Sequence, residues 1–325
     1  MQRRQFIAIA SMMAASIGAA GVTAAASARP LRILILGGTR FIGVHFTELA
    51  LQRGHIVTLF NRGETNPQRF SKLEKLKGDR DGQLDALRDR KWDAVIYDSG
   101  FVPRHVHLSA ELLPPNVRQY LFVSSVSVYA SFATPANEDA PLARVADESI
   151  EKVDDNSYGA LKALCEHAAA TAMPGRLTVL RPGYIVGPGD NSDRFTYWPA
   201  RATRGGDMLA PDGPGDPIQF VDVRDLALFA LNLLERGVAG TFNVVSAPDE
   251  FTIGDLVQAS IRFANKLAKP STAAKAIWVP TDFLKAHGVS LATDLPIWSI
   301  QPVRTPPSLK SAWRALCRRV LRSVQ

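Results

Sequence analysis

Tyr158 and Lys162 stand four positions apart in a segment with the apolar periodicity of a helix, so both side chains fall on one face of it. A phenol with its usual pKa of about 10 is a weak base at neutral pH. A neighbouring ammonium favours the phenolate and lowers that pKa, which makes the phenol a usable proton carrier. The pair therefore predicts a general acid/base, although this spacing also arises by chance and needs support from other residues.

Hydroxyl side chains follow a strand that is predicted over residues 119–123. Ligands of parallel sheets bind at the carboxyl edge, which is where Ser124, Ser125 and Ser127 stand. We expect Ser125 to hydrogen-bond the substrate oxygen that exchanges a proton with Tyr158. For Ser124 and Ser127 we expect hydroxyls that cap the strand end.

A glycine-rich turn lies between a strand and a helix near the start of the chain. Residues 31–36 form an almost unbroken apolar run, typical of a strand buried on both faces, and Gly37 and Gly38 follow it. Gly43 opens a helical pattern. Glycines let a diphosphate approach the backbone, and the free N–H groups of a helix start face such an anion. The turn predicts a dinucleotide site, and an ordinary tight turn is the alternative.

The elements that must position these residues alternate along the chain. Strands are predicted over 31–36, 55–60, 73–77, 93–97, 119–123 and 177–180, and helices over 44–53, 82–89, 104–113 and 157–172. This alternation predicts an α/β fold with a doubly wound parallel sheet of the Rossmann type. The nucleotide-binding domain would span 29–182, with 130–155 as a loop over the site. A smaller substrate-binding region, partly interleaved with the sheet, would span 183–300.

The end of the second predicted strand bears on the choice of nucleotide. Asn61 and Arg62 occupy the positions where an acidic residue would hold the 2′-hydroxyl of an adenine ribose, and Arg40 lies in the first loop. An arginine there accommodates a 2′-phosphate, so NADP is favoured over NAD. A solvated Arg62 without a ligand is the alternative. Asp79, after the third strand, is placed to reach the adenine.

Five motifs occur in order between residue 31 and about residue 298. They are the 37–43 loop, Ser124-Ser125-x-x-Val128-Tyr129, Tyr158-x-x-x-Lys162, and the segments 181–188 and 220–227. Together they resemble the extended short-chain dehydrogenase/reductase superfamily, and within it the NAD-dependent epimerase/dehydratase family. The glycine-rich loop is similar to that of a bacterial branch related to chloroplast RNA-binding proteins of the same fold.

The resemblance implies a role for each matching residue. Tyr158 would be the general acid/base, Lys162 its electrostatic partner and Ser125 the substrate-orienting hydroxyl. The residues expected to bind the nicotinamide cofactor are Gly37, Thr39, Arg40, Phe41, Ile42, Gly43, Asn61, Arg62, Asp79, Ser99 and Pro182. The implied enzyme is an NAD(P)-dependent epimerase, dehydratase or reductase that acts on a nucleotide sugar or a related hydroxyl or carbonyl compound. Arg194 and Tyr197 are candidate substrate contacts.

The two ends of the chain differ from its body. Residues 1–28 combine Arg3 and Arg4 with an Ala-rich apolar stretch and a final Ala-Ser-Ala, which resembles a twin-arginine signal peptide and predicts export to the periplasm or beyond. An ordinary secretory signal or an uncleaved anchor is the alternative, but the stretch is short for a membrane span. Residues 301–325 form a basic tail, either a surface-binding helix or an aberrant terminus.

Charge and composition argue against several function classes. The net charge of +7 is concentrated in these two ends, which carry eight basic residues and no acid, so residues 29–300 have a net charge of −1. A near-neutral body argues against a broad nucleic-acid surface, and a non-catalytic RNA-binding or redox-sensing module is the alternative function. Two cysteines make no disulfide scaffold, and no Cys/His spacing indicates a metal site. A homodimer is compatible with the sequence.

Overall fold

The computed structural model describes residues 29–134, 136–247, 250–290 and 294–298. The compact unit that begins at Leu31 is built around a seven-stranded sheet. The strands are β1 (Arg32–Leu36), β2 (Ile56–Asn61), β3 (Glu74–Lys77), β4 (Trp92–Tyr97), β5 (Val117–Val123), β6 (Leu177–Pro182), β7 (Tyr184–Val186), β8 (Asp207–Pro211), β9 (Pro217–Ile218), β10 (Phe220–Asp222), β11 (Gly240–Val244), β12 (Phe251–Thr252) and β13 (Lys275–Val279). The central sheet has the order β11-β6-β5-β4-β1-β2-β3, and all its neighbours are parallel.

Helices cover both faces of this sheet. They are α1 (Phe41–Gln52), α2 (Pro103–Leu112), α3 (Tyr158–Ala172), α4 (Tyr197–Thr203), α5 (Val223–Arg236), α6 (Ile253–Phe263) and α7 (Thr281–Ala286). Side chains of a strand alternate between faces, so Ile33 and Ile35 pack with residues of α1 and α5, whereas Leu34 and Leu36 pack with residues of α2 and α3. Burial on both faces explains the unbroken apolar run, and the structure confirms the doubly wound α/β fold.

The strand order reverses at β1. The chain runs from β1 through β2 to β3 on one side, then returns to place β4, β5, β6 and β11 on the other. The loops after β1 and β4 therefore leave the sheet in opposite directions and open a crevice at its carboxyl edge, where ligands of such sheets bind.

The predicted strands of the sheet are confirmed, with bounds that differ by a few residues, and one predicted helix is wrong. Residues 82–89 hold a single 3₁₀ turn, Asp85–Leu87, instead of a helix. Gly82 and Asp89 both have positive φ, +86° and +58°, which interrupts a right-handed helix at each end of the segment. The first helix begins at Phe41, one turn earlier than predicted.

The region after residue 182 adds one strand to the central sheet and forms three small sheets. β11 joins the central sheet beside β6, while small two-stranded sheets pair β7 with β10, β8 with β13 and β9 with β12. The proposed domain boundaries stay a prediction.

None of the described helices is long and apolar enough to cross a membrane. The predicted signal peptide and basic tail lie outside the described residues.

Candidate active site

A cleft along the carboxyl edge of the sheet contains nearly all of the residues predicted to act. It consists of two adjoining cavities of about 380 and 360 Å³, called here the loop half and the catalytic half. The loop half is lined by Gly37, Thr39, Arg40, Asn61, Arg62, Asp79 and Ser99. The catalytic half is lined by Ser125, Tyr158, Lys162 and Pro182. Phe41, Ile42 and Asp98 are among the residues that line both halves.

The loop half is shaped by glycines at which an added side chain would meet neighbouring atoms. Gly37 has φ +128°, and a Cβ added to it would stand 2.4 Å from Asp98 Oδ1. A Cβ on Gly43 would stand 2.1 Å from Asp98 Oδ2 and 2.7 Å from Gly38 Cα, so Gly43 supports the loop from behind. Because α1 starts at Phe41, its first N–H groups lie at this turn. The turn thus fits the diphosphate of a dinucleotide, with Arg40 exposed beside it.

Asp98 is a residue of this cleft that the sequence interpretation missed. Its carboxylate accepts hydrogen bonds from Gly38 N–H at 3.4 Å and from Ser99 Oγ at 2.7 Å. Burial raises the pKa of Asp98, whereas the Ser99 hydrogen bond and the charge of Arg80 oppose that rise. The available signal was its position directly after β4, at the carboxyl edge of the sheet.

Asn61 and Arg62 are engaged with neighbouring protein groups. Asn61 Nδ2 donates to the Gly37 carbonyl at 2.9 Å, and Asn61 Oδ1 accepts from Gly63 N–H at 3.0 Å, so this amide fixes the glycine turn. Arg62 is 59% exposed and lies 3.4 Å from Glu64 and 3.9 Å from Asp79. Two carboxylates therefore accompany the arginine that was expected to meet a 2′-phosphate.

Lys162 is buried in the catalytic half and held by backbone groups. Its Nζ donates to the carbonyls of Gly100 and Val123, both at 2.7 Å, and lies 4.3 Å from the centre of the Phe122 ring. Burial lowers the pKa of Lys162 to about 8. The lysine consequently connects α3 to the ends of β4 and β5, and two of its three donors serve that connection.

Tyr158 opens α3 and faces Ser125. Burial raises the pKa of Tyr158, and the hydrogen bond with Ser125 and the charge of Arg194 oppose that rise. The positive charge of Arg194 therefore favours the phenolate form of Tyr158. Ser125 Oγ also accepts a hydrogen bond from Ser127 N–H at 3.1 Å, which fixes the orientation of this hydroxyl.

Ser124 differs from the expectation of a strand cap. It is buried and lines the catalytic half, yet its hydroxyl has no hydrogen-bond partner among the described residues. A buried hydroxyl without a partner loses a hydrogen bond that water would have supplied. The residue itself lies in the cleft wall, beside any molecule that binds there.

A buried ion pair supports the catalytic half from behind. Arg181 forms two hydrogen bonds with Glu166, at 3.0 and 2.6 Å, and donates to Tyr129 Oη at 3.1 Å. It also donates to the Glu138 carbonyl at 2.9 Å, which attaches the loop 130–155 to the sheet. Glu166 lies on α3 one turn after Lys162, so the pair holds the catalytic helix against β6.

The family profile described as "NAD dependent epimerase/dehydratase family" matches residues 33–245, which span the central sheet, the glycine turn and all three catalytic candidates. The chain belongs to the NAD-dependent epimerase/dehydratase family. Within the described residues, no group of three or more His, Cys, Asp or Glu side chains could hold a metal ion.

The chain is similar in sequence to a binding protein and similar in fold to several enzymes. It is 31% identical over 234 residues to the chloroplast stem-loop binding protein of 41 kDa b of Arabidopsis thaliana, covering 66% of this chain and 58% of that protein. Its fold matches the Bordetella bronchiseptica enzyme WbmG in complex with NAD, with a TM-score of 0.62, 19% identity and 88% of each chain covered. It also matches UDP-N-acetylglucosamine 4-epimerase from Bacillus cereus, with a TM-score of 0.58, 18% identity and 82% and 97% coverage. The two structural matches show the fold alone.

Proposed function

We propose that this protein is an NAD(P)-dependent oxidoreductase or epimerase that acts on a nucleotide sugar or a related hydroxyl or carbonyl compound. The observation that carries the proposal is that Ser125, Tyr158 and Lys162 line one cavity, which continues into the glycine turn. A catalytic set beside a cradle for a dinucleotide is the arrangement that hydride chemistry needs. The resemblance to UDP-N-acetylglucosamine 4-epimerase supports the substrate class by fold analogy.

Each residue of the catalytic half has a definite task in this proposal. When bound, a nicotinamide cofactor supplies the hydride acceptor or donor. Ser125 hydrogen-bonds the substrate oxygen, and Tyr158 takes or returns the proton of that oxygen as the carbon changes between alcohol and carbonyl. Lys162 fixes the helix that carries the tyrosine and offers its remaining N–H to the cofactor ribose. The buried walls keep competing water from the reacting groups.

NADP is proposed over NAD because Arg40 and Arg62 stand at the end of the cleft that would hold the adenosine. The exposed Arg40 is the stronger contributor, since Glu64 and Asp79 lie beside Arg62 and reduce its attraction for a phosphate. Export through a twin-arginine signal in residues 1–28 is also proposed, because that route carries folded proteins with their cofactor in place.

An RNA-binding module is the second candidate, because the Arabidopsis relative is a stem-loop binding protein. The charge of −1 over residues 29–300 disfavours it. The two candidates differ in the ligand they predict, and binding of an RNA should weaken steeply as the salt concentration rises, because it depends on many phosphate contacts by basic residues.

The deciding experiment is a titration of the full chain with NADPH and NADH, followed by nicotinamide fluorescence, in the wild type and in Tyr158→Phe. We expect both proteins to bind cofactor equally, NADPH more tightly than NADH. With UDP-sugars and small hydroxy compounds as substrates, we expect Tyr158→Phe to lower turnover by about 10²–10⁴-fold. If neither NADPH nor NADH binds, and a stem-loop RNA binds with an affinity that falls as the salt concentration rises, the second candidate replaces this proposal.

A further inference from the structure

Arg194 is a positioned positive charge in the wall of the catalytic half. Its guanidinium lies over the Tyr184 ring, 4.9 Å from the ring centre, and its Nε donates to Ser192 Oγ at 3.0 Å. Among the described residues, no carboxylate lies within ion-pair distance of it. The acid connected to it is Asp190, reached through the Ser192 hydroxyl, which donates to Asp190 Oδ1 at 2.6 Å.

In this geometry the guanidinium of Arg194 is held in a fixed orientation without a carboxylate beside it. Stacking on an aromatic face and one hydrogen bond through Nε fix the plane of the guanidinium, while its two terminal NH₂ groups carry no hydrogen bond to a described residue. Such a planar pair of donors matches the two oxygens of a carboxylate or a phosphate. The charge is also close enough to Tyr158 to affect its ionisation.

A further cavity adjoins the catalytic half, and Arg201 and Arg204 are among the residues that line it. Arg201 donates from each of its terminal NH₂ groups to a backbone carbonyl, that of Gly205 and that of Asp207. Arg204 is exposed and lines this neighbouring cavity without lining the catalytic half. Arg194 lines both cavities, and it is therefore the arginine of the three that can hold a ligand against Tyr158.

We propose that Arg194 binds an anionic group of the substrate, a carboxylate or a phosphate, beside the carbon at which Tyr158 acts, with the Ser124 hydroxyl as a second donor. This inference rests on the proposed function and narrows its substrate class to hydroxyl or carbonyl compounds that carry such an anion. Ser124 enters it because this residue lines the same cavity and its buried hydroxyl has no described hydrogen-bond partner. A bound anion would satisfy both the guanidinium donors and this hydroxyl.

The test measures binding of three anions to the full chain by isothermal titration calorimetry at constant ionic strength. The probes are malonate for a carboxylate, inorganic phosphate for a phosphate monoanion and dianion, and UDP for a nucleotide diphosphate. Arg194→Gln removes the charge, Arg194→Lys keeps it without the planar fork, and Arg204→Gln is the matched control in the adjoining cavity. NADPH affinity is measured on every preparation to verify the fold and the loop half.

We expect at least one probe to bind the wild type, and the tightest probe identifies the source of the anion. Arg194→Gln should weaken that probe at least tenfold, Arg194→Lys should recover part of the loss, Ser124→Ala should weaken it about threefold, and Arg204→Gln should not change it. Equal loss in Arg204→Gln, no loss in Arg194→Gln, or no wild-type binding of any probe at millimolar concentration would overturn the inference. If the wild type binds NADPH normally, any of those results overturns this inference and leaves the proposed function standing. If the wild type binds neither NADPH nor NADH, the proposed function itself fails.

Discussion

The two halves of the cleft are built in different ways. The loop half is formed by one continuous stretch of backbone, where β1 ends, the glycines turn and α1 begins. The catalytic half is assembled from side chains that arrive from separate elements, with Ser124 and Ser125 after β5, Tyr158 and Lys162 on α3, and Arg194 in the segment before α4. The first depends on close approach of backbone atoms, and the second on buried charges held in place by distant partners.

This difference indicates where each half is vulnerable. Damage to the catalytic half should appear as lost stability, because its charges are buried and an unpaired buried charge costs several kcal/mol. Damage to the loop half should appear as lost cofactor affinity in a protein that still folds. Three substitutions compare the halves in these terms.

The largest effect is expected for Glu166→Gln, which leaves Arg181 charged and buried without its carboxylate. We expect a loss of about 3–5 kcal/mol in the free energy of unfolding, measured by urea denaturation. Glu111→Gln is the matched control on α2, because Glu111 forms an exposed pair with His107 at 3.2 Å. That control should change stability by at most about 0.5 kcal/mol. Similar losses in both variants would contradict the distinction between buried and exposed pairs.

A smaller effect that depends on pH is expected for Lys162→Met. Burial lowers the pKa of Lys162 to about 8 from its ordinary value of 10.5, so as pH rises the native state releases this proton before the unfolded chain does. Between these two pH values the unfolded chain binds more protons, and the wild type should gain stability as pH rises. Relative to Lys162→Met, we expect a gain of up to about 3 kcal/mol from pH 8 to pH 10.5, from urea denaturation at each pH. A difference between the two proteins that stays constant with pH would disprove the burial argument.

The smallest effect on free energy is expected in the loop half, for Gly43→Ala. The added methyl group meets Asp98 and the backbone of Gly38, and overpacking of this kind costs about 1–3 kcal/mol. We expect NADPH affinity to fall about 10–100-fold while circular dichroism shows a folded protein. Gly215→Ala is the control, because a Cβ there meets no atom within 4 Å. Unchanged affinity in Gly43→Ala would show that the turn does not hold the cofactor.

The sequence could predict the parts of the site that are local in the chain. The glycine turn, the hydroxyls after β5 and the Tyr158/Lys162 pair each lie within a few residues, and apolar periodicity locates the elements that carry them. The helix predicted over 82–89 failed because positive φ at its two ends is not visible in a periodicity of polar and apolar residues.

Contacts between elements could not be predicted in the same way. Asp98 is adjacent to the glycine turn only because β4 pairs with β1, and Arg181 meets Glu166 only because α3 packs on β6. The environment of Lys162 is a further example. Its burial, which lowers its own pKa, depends on how two strand ends close over it, and a spacing of four residues carries no information about that.

The amide of Asn61 has a consequence for how this chain could change its nucleotide. Asn61 stands at the end of β2, where dinucleotide folds discriminate between NAD and NADP. The same residue also fixes the glycine turn, because its Nδ2 donates to the Gly37 carbonyl. An acid placed there to select NAD would exchange that donor for an acceptor and direct it at another acceptor. A substitution of Asn61 that changed the cofactor preference would therefore also change the shape of the glycine turn, unless a second substitution compensated for it.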